Sequence, residues 1–195
     1  MKQSNHKPPK FLSLLTLLAA CSTPSELKKT ILDQSASRPG WMDQAKTAWE
    51  EDQKIKIRGT QQIRGNERLA GCYDLARINA TGLLVGEIQE NIKGVLDTHE
   101  TSLSENAEIL LTKSRSSEFR AQASGVRFTE EFFVRYRIGD VERIDCHVLS
   151  EISKEDHTRL KRAILDKVVE ADPRIKEQIQ MKHIDFFKTG DGGKS

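Results

Sequence analysis

The clearest structural signal in the sequence is an alternation of apolar and polar residues in two neighbouring segments, Val126–Ile138 and Glu142–Ile152. The apolar positions are Phe128, Phe132, Val134, Tyr136 and Ile138 in the first segment and Ile144, Cys146 and Val148 in the second. Gly139-Asp140 between them is typical of a turn. Because successive side chains of a strand point to opposite faces, the pattern predicts a β-hairpin with one buried face.

A further strand and a long helix are predicted upstream. Lys54–Arg58 alternates strictly, with Ile55 and Ile57 on one side, and Gly59 and Gly65 suggest a turn after it. Asn66 is the predicted N-cap of the helix. Its apolar stripe recurs at three- and four-residue steps and contains Leu69, Cys72, Tyr73, Ala76, Ala80, Leu83 and Leu84. The small residues in this stripe favour close approach to a sheet.

The rest of the chain adds helices. Glu87–Ser104 fits either a continuation of the long helix or a strand, whereas Glu105–Phe119 favours a helix. Ser153 begins another helix that ends at Asp172-Pro173, and an amphipathic piece follows over Ile175–Phe187. The predicted fold class is therefore α+β, an antiparallel sheet with a long helix and further helices packed on one face. Trp41 and Trp49 are expected to cover the edge of the core.

The amino terminus has the composition of a targeting segment. Three lysines and no acid occupy the first ten residues, and an apolar run of about ten residues follows from Phe11 to Ala20. This run is too short to cross a bilayer, which takes roughly 20 apolar residues in a helix. A cytosolic protein with a buried N-terminal helix is the alternative, but the run is apolar on almost every side, unlike a core helix. The pattern predicts a signal peptide over residues 1–20.

The signal segment ends on a cysteine rather than on an ordinary cleavage site. Leu18-Ala19-Ala20-Cys21 resembles the lipobox of bacterial lipoproteins. The resemblance implies cleavage before Cys21, a diacylglycerol on its sulfur and an acyl chain such as palmitate on its new amino group. Two or more chains would anchor the protein stably to a membrane. Ser22 replaces the aspartate associated with retention in the inner membrane, so the expected location is the outer membrane, facing either the periplasm or the exterior.

Composition and spacing divide the remaining chain. Residues 21–40 contain Ser, Pro and Gly and are interpreted as the lipidated N-terminus and a flexible tether, in which a short helix near Leu27–Leu32 is an option. Residues 41–172 form the predicted domain, and 173–195 a C-terminal helix and polar tail. The formal net charge is +2, and three lysines lie in the signal segment, so the near-neutral domain gives no electrostatic case for nucleic acid.

The order of elements from Trp41 to Ala171 resembles the LPP-twenty family of small bacterial lipoproteins. The resemblance is carried by LAGCYDLARINATGLL, which contains Asp74, Ala76 and Arg77, and by the paired strands GVRFTEEFFVRY and ERIDCHVLSEIS. The family's domain is similar to the N-terminal domain of the flagellar protein FlgT. The resemblance implies a compact α/β domain in the envelope, a role in assembly or protein contact, and no catalytic residues.

The sequence predicts no catalytic, cofactor or metal site. His99 and His147 lack a paired ligand spacing, and a zinc site needs about four convergent ligands. The chain contains neither G-x-S-x-G nor a glycine-rich phosphate loop. Cys72 and Cys146 are expected in the core between the long helix and the hairpin, either as a disulfide or as two buried thiols.

The hairpin also offers a candidate contact surface. Its outer side is predicted to carry Arg127, Phe133, Arg135, Arg137 and Arg143. A solvated sheet face is the simpler interpretation, and a docking surface for an acidic partner, phosphate or lipid headgroup is the alternative. The predicted function is a non-enzymatic, lipid-anchored envelope protein with an unidentified protein partner; the alternative is a lipid-anchored periplasmic enzyme.

Overall fold

The computed structural model describes residues 28–35, 37–112, 123 and 125–187. The strands are β1 (Lys29–Gln34), β2 (Ala48–Glu51), β3 (Lys54–Arg64), β4 (Arg127–Ile138) and β5 (Val141–Ser153). The helices are α1 (Leu69–Thr98), α2 (Glu105–Thr112), α3 (Lys154–Ala171) and α4 (Arg174–Met181). A 3-10 turn, Gly40–Asp43, lies between β1 and β2.

Within these residues the strands form one five-stranded sheet in the order β1-β4-β5-β3-β2. Every neighbouring pair is antiparallel. The 30-residue helix α1 packs on the sheet together with the shorter helices. The predicted α+β class, with helices against an antiparallel sheet, is confirmed.

The main core lies between the sheet and the helices. Its fully buried members include Ile57 of β3, Leu84 and Ile92 of α1, and Ile164 of α3. The short helix α4 contributes Ile175 to the same cluster. Each side chain of this size stabilises the fold by about 1.5–3 kcal/mol through removal of apolar surface from water. The surface of the sheet that carries this core is called the helix face below, and the opposite surface the far face.

The strand β3 is longer than its alternating segment indicated. It runs from Lys54 to Arg64, so Gly59 does not begin a turn, and the prediction of a turn there is wrong. The strand continues because it pairs with β5 without interruption as far as Arg64, and α1 crosses so close above Gly59 that a side chain would not fit there. The stretch after Glu87, which fitted either a helix or a strand, is helical, since α1 continues to Thr98. Its N-cap is Arg68 rather than Asn66.

The hairpin of β4 and β5 is confirmed, but the side chains of β4 point differently from the expectation. The register pairs Phe133 with Cys146 and Phe132 with His147. Opposed residues of antiparallel strands share a face, and Cys146 packs against α1. Phe133 therefore lies on the helix face and Phe132 on the far face. The prediction that Phe132 shares a buried face with Cys146 is wrong.

Two features explain this difference. A register shift between Phe128 and Glu130 breaks the alternation, so Phe128 and Phe132 lie on opposite faces. The far face is also covered, because the 3-10 turn lies over it. The Arg58 Nη1 donates to the Met42 carbonyl oxygen at 2.8 Å, and the Trp41 Nε1 to a Glu130 carboxylate oxygen at 2.8 Å. The apolar side of β4, which includes Phe132 and Tyr136, is therefore buried on the far face rather than against α1.

The segment interpreted as a tether contributes a strand. Lys29–Gln34 pairs with β4 at one edge of the sheet, so this part of the predicted tether, and the optional short helix there, are wrong. All six residues of β1 are exposed, so the strand shows no apolar periodicity. It is held by main-chain pairing and by Lys29, whose Nζ lies 3.6 Å from an Asp145 carboxylate oxygen and over the Tyr136 ring. Residues 1–27, including the signal segment, lie outside the described residues, as do 113–122 and the tail 188–195.

The start and end of α3 follow the sequence prediction. The Ser153 side chain accepts from the Asp156 main-chain N–H at 3.0 Å and so caps the helix. The helix ends at Ala171, directly before Asp172 and Pro173. Downstream, the helical part of the amphipathic piece is Arg174–Met181, and the chain then returns to bury Ile184 and Phe186 in the core.

Candidate functional site

A groove lies between helix α1 and the segment that leads into the edge strand β2. It has a volume of about 770 Å³. One wall is the flank of α1 and the other is Ala45–Ala48, with Thr60 of β3 also contributing. The α1 residues in the wall are Ile78, Asn79, Gly82, Leu83, Gly86, Glu87 and Glu90. This surface is called the edge groove below.

The α1 wall of the edge groove is apolar and uneven. Ile78 and Leu83 are 46% and 44% exposed, respectively, although both are large aliphatic residues. Gly82 lies between them in sequence and has open space where a side chain would start. Leu83 belongs to the stripe predicted to face the core, but it lines this surface instead. Two exposed aliphatic side chains beside a glycine form a concave apolar surface that a partner side chain can fill.

The strand β2 has main-chain groups that point away from the sheet. Thr47 accepts from the Arg58 N–H at 2.8 Å, and Trp49 and Glu51 follow it at alternate positions. In an antiparallel pair the bonding residues alternate, so Ala48 and Glu50 direct their N–H and C=O groups outward. No hydrogen bond to these outward groups is present in the described part of the chain. The edge groove therefore runs beside an edge with unpaired donors and acceptors.

The charges at one end of the edge groove are mainly negative. Glu87 and Glu90 lie one helical turn apart in the wall, and Lys46 stands on the other side. Glu87 is exposed as a residue, yet the walls remove enough water around its carboxyl to raise its pKa; Glu90 raises it further, and Lys46 opposes the shift. This end of the groove is suited to a cationic group.

A smaller pocket of about 260 Å³ adjoins the edge groove and shares Glu87 with it. Burial lowers the pKa of His157, with a further contribution from the Lys161 cation, and burial also lowers the pKa of Lys161. The Lys161 Nζ donates to the Asn91 side-chain oxygen and lies 5.9 Å from the centre of the Phe187 ring. Lys154 forms an ion pair with Glu50 across the same pocket.

The residues predicted to form one outer surface on the hairpin are divided between two faces. Arg135 is paired with Ile144 and lies on the helix face, whereas Arg143 is paired with Tyr136 and lies on the far face. Phe133 is half-buried and packs against the cluster that contains Cys72. The expectation of a single basic strip is therefore wrong, because the hairpin turn pairs odd-numbered residues of β4 with even-numbered residues of β5, which places Arg135 and Arg143 on opposite faces.

The remaining members of that set also differ in their surroundings. Arg127 is exposed at the start of β4 and is paired with Glu151 on the far face. Arg137 is exposed and forms an ion pair with Glu142 across the hairpin. Arg143 donates from Nη1 to the Gln62 side-chain oxygen at 2.8 Å. These arginines do not converge on a common site.

The two core cysteines are joined by a disulfide. Cys72 of α1 and Cys146 of β5 have Cα atoms 6.0 Å apart, both are fully buried, and the bond links positions 74 residues apart in sequence. Of the two states left open by the sequence, the structure therefore has the bridged one. Such bonds persist in oxidising compartments, so the disulfide fits an extracytoplasmic domain.

The two histidines considered as metal ligands are not brought together with other ligands. Across residues 28–35, 37–112, 123 and 125–187, no group of three or more His, Cys, Asp and Glu side chains could hold a metal ion. His147 lies on the far face beside Phe132, with ring centres 6.2 Å apart. Burial lowers its pKa, and the Arg58 and Arg38 cations lower it further against the opposing effect of Asp145.

The edge groove was missed by sequence reasoning, although a signal for it exists. Helix α1 carries Leu75 and Ile78 outside the predicted stripe, and both are exposed. Together with Gly82 they form a second set of small and apolar residues along the helix. An amphipathic helix with one buried face would place polar residues there. The excess of apolar residues therefore indicated a second contact surface.

The predicted lipidation site, Cys21, lies outside the described residues. No helix in the described ranges combines the length and the apolar character needed to cross a membrane. Comparison of the chain with protein-family models, with curated proteins and with solved structures gives no match.

Proposed function

We propose that the chain is a lipid-anchored protein of the bacterial envelope whose domain serves protein contact and carries no catalytic activity. The proposal starts from the lipobox-like sequence ending at Cys21, which would receive the lipid. The observation that supports export is the Cys72–Cys146 disulfide, because such a bond persists outside a reducing cytosol. The outer membrane is the proposed location, given Ser22 after the lipidated position.

The contact role is supported by the edge groove. Its exposed Ile78 and Leu83 leave apolar surface in water beside an unpaired strand edge. Exposed apolar surface of this kind is characteristic of protein interaction sites. The proposed contact surface is therefore the edge groove, in place of the hairpin strip expected from sequence. The resemblance to LPP-twenty lipoproteins points in the same direction, since assembly and contact are the roles that it implies.

The test of the anchor is metabolic labelling in a Gram-negative host. The full chain is expected to incorporate labelled palmitate and to sediment with outer membranes, and Cys21→Ser is expected to lose both properties. Ser22→Ala serves as the matched control and keeps both. Ser22→Asp is expected to move the labelled protein to the inner membrane. Unlabelled, uncleaved chain in the cytosolic fraction would contradict the proposal.

A second candidate function, a lipid-anchored enzyme, has one observation in its favour. The pocket beside the edge groove places Lys161 and His157 together, both with lowered pKa values. Perturbed groups in a cleft are a feature of active sites. Turnover of chromogenic ester and phosphate substrates by the full chain distinguishes the two functions: turnover that is lost in Lys161→Met favours the enzyme, and no turnover in either protein favours the contact domain.

A further inference from the structure

Three observations on the edge groove bear on the form of its partner. The outward N–H and C=O groups of Ala48 and Glu50 are main-chain groups that an added strand can pair with. The apolar wall at Ile78 and Leu83 lies beside this edge. Glu87 and Glu90 give one end a negative charge that Lys46 only partly balances. The groove thus offers main-chain groups that can pair with a strand, an apolar surface for a side chain and carboxylates for a cation.

We propose that the edge groove binds an extended peptide segment of a partner protein as a sixth strand beside β2, with an apolar side chain against Gly82 and a basic side chain at Glu87 and Glu90. The occupant is a protein segment because the edge offers main-chain donors and acceptors in the strand spacing. It is basic because two of the three charged side chains that line the groove, Glu87 and Glu90, are carboxylates. This inference deepens the proposed contact function and rests on it.

The length of the available edge limits the binding. The strand β2 has four residues, so an added strand forms few main-chain hydrogen bonds. Each such hydrogen bond contributes about 0.5–1.5 kcal/mol net to the free energy of binding. Affinity therefore depends on the apolar contact at Gly82 and on the contact of the basic side chain with Glu87 and Glu90. Removal of either contact is expected to have a measurable effect on affinity.

The probe is a set of blocked synthetic peptides of ~8 residues, long enough to cover β2 and its flanks. Threonine and valine alternate in all of them, and one position carries arginine in the test peptide and glutamate in its control. Two further peptides carry N-methyl groups on alternate residues, one on the odd-numbered and the other on the even-numbered positions. In one of these two peptides the methyl groups replace the N–H donors that face β2. Binding to the full chain in mild detergent is measured by fluorescence anisotropy and by amide exchange.

The expected result is binding of the arginine peptide and weaker binding of the glutamate peptide. One of the two N-methylated peptides is expected to bind and the other to fail, since only one register of donors meets the edge. Binding is expected to slow exchange of the Ala48 and Glu50 amides. Equal affinity for all four peptides, or unchanged exchange at both amides, would overturn the proposal.

Gly82→Trp is the decisive variant because it fills the groove while its first side-chain atom meets open space. Gly94→Trp is the matched control: Gly94 lies on α1 with the same open space around it, and it does not line the edge groove. Gly82→Trp is expected to weaken binding at least about tenfold, corresponding to 1.4 kcal/mol, and Gly94→Trp less than about twofold. Equal losses in the two variants would refute the assignment of the site.

Charge is tested separately with Glu87→Gln. The arginine peptide is expected to lose about threefold to fivefold in affinity and the glutamate peptide to gain, in line with a partly exposed ion pair.

A dimer of the chain that forms with rising concentration and disappears in Gly82→Trp would show that a second copy fills the groove, and would refute a separate partner. Failure of palmitate labelling leaves these binding results unaffected, so the two proposals fail separately.

Discussion

Gly59 of β3 lies so close to Ala76 of α1 that a Cβ atom on the glycine would be 2.2 Å from the alanine carbonyl oxygen. The same atom would be 2.7 Å from the Cβ of Ala80. These distances leave no room for a methyl group without movement of the helix backbone. The close contact of α1 with the sheet therefore depends on the absence of a side chain at this position.

Gly59→Ala is expected to lower the free energy of unfolding by about 1–3 kcal/mol, because an extra methyl group forces the helix away from the strand. Urea denaturation provides the measurement. Gly94→Ala is the control, since Gly94 is helical with open space around it, and it is expected to raise stability by up to about 1 kcal/mol. A Gly59→Ala protein as stable as wild type would contradict the observed packing.

Replacing Cys72 and Cys146 together by alanine is expected to lower the free energy of unfolding by about 4 kcal/mol. The disulfide restricts the unfolded chain by closing a loop between positions 74 residues apart. Reduced wild-type protein is expected to unfold at nearly the same urea concentration as the double variant. Peptide mapping after alkylation of unfolded, unreduced protein gives an independent check: free thiols at both positions would show that the bond is absent.

Asp172 is expected to stabilise the protein at neutral pH and to lose that effect in acid. Its side chain accepts from Arg174 and from the Ser104 main-chain N–H, with oxygen–nitrogen distances of 2.9 Å. The hydrogen bond from Arg174 is the main cause that holds its pKa far below the usual 3.8, with the bonds from Ser104 adding to the effect against burial. Asp172→Asn is expected to cost about 1.5–3 kcal/mol at pH 7.

The pH dependence has a defined sign. The folded pKa of Asp172 lies below the unfolded value, so the unfolded chain binds more protons and stability falls as the pH drops below about 4. The Asp172→Asn variant is expected to show a smaller loss over this range in denaturation curves measured at several pH values. Asp166→Asn, at an exposed position on α3, is the control and is expected to follow wild type.

His147 and His157 are expected to titrate below the ordinary histidine pKa of 6.5, mainly because burial disfavours their charged forms. Since the folded pKa is depressed, their contribution to stability is complete above about pH 6.5 and is lost as the pH falls. Imidazole chemical shifts followed through a pH titration give the values directly. Replacing both by glutamine is expected to flatten the stability profile between about pH 6.5 and pH 5; an unchanged profile would be inconsistent with neutral, half-buried rings.

The fold class could be predicted because α1 and β5 each carry a regularly spaced set of buried apolar residues. Cys72, Ala76 and Ala80 recur at helical spacing and are all fully buried, and Ile144, Cys146 and Val148 alternate along β5 and are also buried. Within each of these sets the spacing is regular, helical in α1 and alternating in β5, and it predicts which side chains face the core. The pairing of Cys72 with Cys146 requires both elements in three dimensions, so the sequence left the bond open.

The errors occurred where local periodicity does not govern the structure. In β4 the alternation holds from Glu130 onward, but its apolar side lies on the far face, because the hairpin turn pairs odd-numbered residues of β4 with even-numbered residues of β5. In β1, pairing through the main chain leaves Ile31 59% exposed and produces no pattern. The edge groove arises from the position of α1 above the edge strand β2, and neither element reveals it alone.

The position of β1 has a consequence for how the domain would stand on a bilayer. With Cys21 acylated as proposed, about eight peptide units join it to Lys29, and a fully extended chain spans at most about 26–29 Å over that distance. The domain would thus be held near the lipid headgroups through β1, the strand at one margin of its sheet. The edge groove borders the opposite margin, four strand spacings or about 19 Å across, so the strand that leads to the anchor and the groove are separated by the full width of the sheet.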